Sequence, residues 1–137
     1  MSKIKKVFIT GGSGGIGSSI CDKFFENKYT LVLISSSEKK LDIMKDRYGS
    51  NNFYYKIDIS KIESAEQDIK VINNTHKDIS VIVNNAGITD DGLAIRMSYT
   101  SWQKVLQTNL DSNFILLKSL LPNMISNKYG KIIGISS

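Results

Sequence analysis

One cysteine, one proline, one tryptophan and one histidine are all that the 137 residues hold of those types. A lone thiol excludes an internal disulfide and suits a reducing, cytoplasmic setting. The single proline, Pro122, is expected to kink or interrupt whatever helix contains it. No run is long and apolar enough to span a bilayer, and Met1-Ser2-Lys3-Ile4-Lys5-Lys6 passes directly into an apolar run. Neither a membrane segment nor a secretory leader is therefore expected. Arginine is scarce beside lysine although the net charge is +5. With no arginine-rich face and no recognition motif, nucleic acid is not expected as a partner. The scattered lysines read as a solvated surface, and an acidic macromolecular partner stays open. At 41% hydrophobic and 23% charged, the composition is that of an ordinary globular chain with room for one core.

What is present is organised around Thr10-Gly11-Gly12-Ser13-Gly14-Gly15-Ile16-Gly17. The apolar run Val7-Phe8-Ile9 precedes it, and the amphipathic Ile20-Cys21-Asp22-Lys23-Phe24-Phe25 follows. A strand, a glycine turn and a helix start make a phosphate cradle, because glycine lets the backbone approach closely and the helix offers free N–H groups. Two registers overlap. Gly12-x-Gly14-x-x-Gly17 would want an acid about twenty positions on, closing the second strand. Ser35-Ser36-Ser37 stands there instead, so the longer Thr10-Gly11-x-x-x-Gly15-x-Gly17 register is preferred.

Apolar strands and helical periods then alternate with no repeat or linker. Strands are expected at 7–10, 30–34, 53–57, 79–83 and 131–135. Helices are expected from Gly15 to about Asn27, from Ser37 or Glu38 to Gly49, from a Ser60 cap through Ile72, and from about Ser101 to Ser126. Continuous β-branched runs between helices predict an α/β fold: a doubly wound parallel sheet with helices on both faces, in a single domain over 1–137. Functional loops then gather at the carboxyl ends of the strands, at Gly11, Ser35, Asp58, Asn84 and Ser136–Ser137.

Several side chains there could carry chemistry. Asn109 lies at the margin of a stripe, Trp102, Val105, Leu106, Leu110, Phe114, Leu117, Leu120 and Leu121, expected to be buried. An amide there needs hydrogen-bond partners, either structural or within a site. Asp58 could accept from an adenine amino group or serve as a cap shared with Ser60. Asn84-Asn85-Ala86-Gly87 is a tight turn that would admit a ligand to its backbone. Ser137 could donate to a substrate carbonyl or simply end a strand. Cys21 reads as core and His76 as a solvated helix end. Asp90-Asp91 lacks further ligands nearby, so no metal site is expected.

Together these residues resemble the short-chain dehydrogenase/reductase family. The resemblance rests on Thr10-Gly11-x-x-x-Gly15-x-Gly17, Asp58, Asn84-Asn85-Ala86-Gly87, Asn109 and the Ile-x-Ser-Ser ending at Ser137. Within the family, Asn85 to Asp90, Leu93, Arg96-Met97, Trp102 and Tyr129 to Ile133 are most similar to 3-oxoacyl-[acyl-carrier-protein] reductases of bacterial fatty-acid biosynthesis. The resemblance implies a Rossmann-type NAD(P)-binding domain. Its cofactor residues would be Thr10, Gly11, Ser13, Gly14, Gly15, Ile16, Gly17, Ser35, Ser36, Asp58, Ile59, Asn85, Ala86 and Gly87. With no acid closing the second strand, NADP(H) is favoured over NAD(H), although Gly14 stands where many NADP-using members carry a basic residue.

It further implies a tetrad of Asn, Ser, Tyr and Lys, of which Asn109 and Ser137 match the first two. None of the six tyrosines has a lysine four positions on, so the Tyr-x-x-x-Lys motif is absent. The chain therefore reads as the N-terminal part of such a reductase, without the last third of the usual fold and poorly soluble alone. Acyl carrier protein would be the substrate carrier, met by Lys128 and Lys131 near the mouth of the site. Homo-oligomers would form through the long helix. Two other readings stand beside this one: a non-catalytic dinucleotide-binding or dimer-partner protein, and a reductase of another small carbonyl compound.

Overall fold

The computed structural model describes residues 5–85 and 94–135. Its strands are β1 (Lys6–Thr10), β2 (Thr30–Ser35), β3 (Phe53–Lys56), β4 (Ile79–Asn84) and β5 (Lys131–Gly134). The helices are α1 (Gly15–Glu26), α2 (Glu38–Tyr48), α3 (Ile62–Thr75), α4 (Tyr99–Leu106) and α5 (Ser112–Ser126), with a short 3₁₀ turn at Ala94–Arg96. All strand pairs are parallel, in the order β3-β2-β1-β4-β5. From β1 the chain first builds outward to β3 and then returns to β4, so strand order reverses beside β1. A crevice opens at such a point, beyond the carboxyl ends of the strands.

Both faces of the inner strands β1, β2 and β4 are covered, which is why those strands read as unbroken apolar runs. Val7 and Ile9 of β1 turn one way and pack with Cys21 of α1 and Leu41, Met44 and Tyr48 of α2. Phe8 turns the other way, against Ala65, Ile69 and Ile72 of α3 and Leu116, Leu120 and Met124 of α5. Side chains two apart share a face, so alternate residues feed alternate cores. Burying each such side chain contributes roughly 1.5–3 kcal/mol.

Local signals set the helix ends, with one correction. The Ser37 hydroxyl accepts from Lys40 N at 3.3 Å, and Gly49, at φ 83°, ends α2 as its position predicts. Ser60, however, does not cap α3, whose N-cap is Lys61 without a side-chain bond. Ser60 instead donates to Asp58 Oδ1 through its N–H at 3.0 Å and its hydroxyl at 2.6 Å. An aspartate bonding two residues onward folds its own turn, which takes the serine away from the helix.

The long helix departs from expectation in phase. Between α4 and α5 the segment Gln107–Asp111 is π-helical, and the helix continues past Pro122 to Ser126. The expected interruption at Pro122 is therefore absent. A π turn takes one residue more than an α turn, which rotates every later side chain. The buried face is consequently Thr108, Ser112, Ile115, Leu116, Ser119, Leu120 and Met124. The predicted stripe divides: Trp102 is 52%, Leu110 62% and Phe114 64% exposed, whereas Leu120 is buried and Leu117 and Leu121 pack against the core as expected.

His76 also reverses its expectation, being only 2% exposed. Its Nδ1 lies 3.2 Å from Lys6 Nζ and its Nε2 2.7 Å from the Tyr55 hydroxyl, while the Phe53 ring packs at 4.3 Å between centroids. A lysine ammonium can only donate, so Nδ1 accepts and the proton of the neutral ring sits on Nε2, pointing at Tyr55. Lys6 is held from its other side by Asp78 at 2.8 Å.

Candidate functional site

Gly11 is the pivot of the glycine turn. It has φ 68°, and its carbonyl accepts from Gly14 N at 3.4 Å and from Asn85 Nδ2 at 3.1 Å. A Cβ added at Gly17 would fall 1.8 Å from that same carbonyl oxygen, so no other residue fits the first turn of α1. At Gly12 a Cβ would come 2.8 Å from Cys21 Sγ. Gly15 differs: nothing lies within 4 Å of a Cβ placed there, and at Gly14 the nearest atom is 3.8 Å away. Those two positions face open space at the amino end of a helix, where anions are favoured.

Thr10 joins the turn to the next strand. Its buried hydroxyl donates to Asn84 Oδ1 at 3.0 Å and accepts from Asn85 N at 3.1 Å. The carboxyl ends of β1 and β4 are thereby locked side by side. Behind the turn, burial above all, with the charge of Asp22, pushes the Cys21 thiol up to about 12. At neutral pH it is an inert packing group, as its sequence context predicts.

A cleft of about 400 Å³ runs over these strand ends. Nine of the residues singled out in the sequence line it: Thr10, Gly11, Ser13, Gly14, Ser35, Ser36, Asp58, Ile59 and Asn85. Gly15, Ile16 and Gly17 form the first turn of α1 and are not part of its lining. Ala86, Gly87 and Ser137 lie outside the described residues. Asn109 is exposed within the π-helical segment, where its carbonyl accepts from Asn113 Nδ2 at 2.9 Å, and it is not in the cleft lining. The expectation of an amide beside a buried stripe is thus corrected by the shifted helix phase.

Lys40, Lys104 and Thr108 also line the cleft and were missed in the sequence. For Lys40 a signal existed: a basic pair follows a strand that no acid closes. Asp58 is held below the usual carboxylate range, first by the Ser60 hydroxyl and further by Lys61 and Lys104. It is ionised at neutral pH and able to accept a hydrogen bond. The buried Thr108 hydroxyl has no partner among the described residues. Lys128 and Lys131, expected at the mouth of this site, stand before and at the start of β5, the end opposite the cleft.

The donor set suits a dinucleotide with an additional phosphate. Open glycine positions meet a helix N-terminus for the pyrophosphate, and Ser35, Ser36 and Lys40 stand where a second phosphate would come. No carboxylate closes β2 to repel it.

A doubly wound parallel sheet with a glycine turn at its switch point defines a Rossmann-type domain. The family model for short chain dehydrogenases matches residues 5–137, and the chain belongs to that family. It is 38% identical over 133 residues to a 3-oxoacyl-[acyl-carrier-protein] reductase of Rickettsia typhi, covering 97% of this chain and 54% of that one. The Buchnera aphidicola reductase of the same name is 35% identical over 130 residues, covering 95% and 53%. The chain thus spans about half the length of these relatives. Among solved structures, ElxO with NADP bound superposes with a TM-score of 0.85 at 31% identity, over 97% of this chain and 55% of that one.

Proposed function

We propose that the chain is the N-terminal, cofactor-binding part of an NADPH-dependent 3-oxoacyl-[acyl-carrier-protein] reductase. The observation that carries the reading is the cleft itself, where Ser13 and Gly14 of the glycine turn and Ser35, Ser36 and Lys40 offer two anion positions along one rim. The similar 3-oxoacyl-[acyl-carrier-protein] reductases and the NADP-bound neighbour support the choice of reaction and cofactor. In this reading Thr10 and Asn85 hold the turn, Asp58 orients the adenine, and Ser35 with Lys40 holds the 2′-phosphate. The bound nicotinamide supplies hydride to a 3-keto carbon. Ser137 would hold the keto oxygen by donating to it, and Asn109 would order a water for proton return. The tyrosine and lysine of the family's tetrad have no counterpart among these residues, and the proton donor must come from outside them.

Partnership is the second strand of the proposal. Trp102, Leu106, Leu110 and Phe114 recur every fourth residue along the exposed face of the long helix. An apolar row of that kind seeks cover, and a second copy presenting the same row would supply it. The protein would then act as a cytoplasmic homo-oligomer.

The test is NADPH oxidation by the protein with acetoacetyl-acyl carrier protein as substrate. In the full-length reductase of which this chain would be the N-terminal part, turnover with NADPH, lost in Ser137→Ala, is expected. Cofactor binding without turnover would leave the dinucleotide-binding module as the correct reading.

A further inference from the structure

A second cavity, about 870 Å³ and larger than the cofactor cleft, lies at the opposite end of the sheet. Five residues of β1 separate the two ends, about 13 Å at the usual rise per strand residue. Lys5, Lys6 and Lys77 line this cavity together with Tyr29 and Tyr129, and Asp78 is its only acid. That acid is already engaged, 2.8 Å from Lys6 Nζ. Lys6 is in turn fixed by the buried His76 and leaves only 12% of its side chain exposed. Lys5 and Lys77 are exposed, and neither has an ion-pair partner among the described residues, although Lys5 Nζ lies over the Tyr29 ring, 5.4 Å from its centroid.

The fold concentrates charge that looks scattered in sequence. Every strand is parallel, so the segments entering them meet at one end, bringing Lys28, Lys128 and Lys131 to the same rim. Helix dipoles account for Lys77 and Lys128, which follow the C-termini of α3 and α5. They do not account for Lys5 and Lys6 at the start of a strand.

We propose that this cavity is a second ligand site, for a nucleoside polyphosphate. Its phosphates would be met by Lys5, Lys6 and Lys77, and its base by the Tyr29 and Tyr129 rings. The size suits such a ligand, and three ammonium groups lining one cavity suit a chain of phosphates. The inference is independent of the reaction assigned to the cleft.

Calorimetric titration of ATP into the protein, with and without saturating NADPH, tests it. One ATP should bind per chain in both conditions. The double charge reversal Lys5→Glu with Lys77→Glu should weaken ATP about tenfold or more, leaving NADPH affinity and melting temperature unchanged. If the reversal lowers the melting temperature, Lys5→Gln with Lys77→Gln replaces it with the same expectation. Displacement of ATP by NADPH, binding indifferent to the lysine changes, or no binding at millimolar ATP would each overturn the proposal.

Discussion

At Gly14 the backbone has φ −76° and ψ 174°, angles open to any residue, and a Cβ there meets nothing closer than 3.8 Å. Glycine is therefore not required by packing at that point. Gly14→Arg is expected to fold normally and to tighten NADPH roughly tenfold through a charge-assisted contact to phosphate. Comparing NADPH dissociation constants checks it. Gly17 is the opposite case, since the Gly11 carbonyl occupies the space of any side chain. Gly17→Ala must push α1 away from the turn, and NADPH binding should fall below detection while Gly15→Ala binds measurably. His76 gives a third expectation. Burial first, then the facing Lys6 ammonium, lowers its pKa, with Asp78 opposing more weakly. The unfolded chain thus binds the proton more readily than the folded one. Stability is fully present above about pH 6.5 and declines as pH falls through the depressed folded value. Urea midpoints from pH 8 to pH 5 should show this decline, and His76→Gln should reduce it; an identical profile in the variant would contradict it.

Elements were legible wherever a single pattern governed them. Apolar runs gave all five strands, and Ser37 and Gly49 bounded α2 at the expected positions. In the long helix Leu117, Leu120 and Leu121 face the core as expected, but Leu110 and Phe114 do not, because nothing in Gln107–Asp111 announces a π turn. Leu110 and Phe114 consequently moved from the expected core to an exposed row. Replacing both with glutamate should cost little stability, since neither is buried. The same change should convert an oligomer to a monomer by sedimentation; an unchanged assembly would refute the long-helix interface.

Across the whole molecule, the sequence disclosed the cleft better than the opposite end. Residues of the glycine turn and of the strand ends carry local signals, so nine of those predicted do line one cavity. Lys40 was missed because its role depends on where α2 begins relative to β2, a tertiary fact. His76 was misread because burial of a helix-end histidine is decided by Lys6, Phe53 and Tyr55, far away in sequence. The sheet also ends at an exposed strand, with Ile132 50% and Ile133 39% accessible on β5. Such an edge invites further pairing, and Ile133→Lys is expected to raise the concentration at which the protein stays dispersed in light scattering.

The most direct test of the cleft assignment is a pair of titrations, NADPH and NADH, on the protein and on Lys40→Glu, followed by nicotinamide fluorescence. NADPH should bind more tightly than NADH, and the substitution should weaken NADPH about tenfold while leaving NADH little changed. Equal affinity for the two cofactors, or a loss shared by both in the variant, would contradict the assignment of Ser35 and Lys40 to the 2′-phosphate.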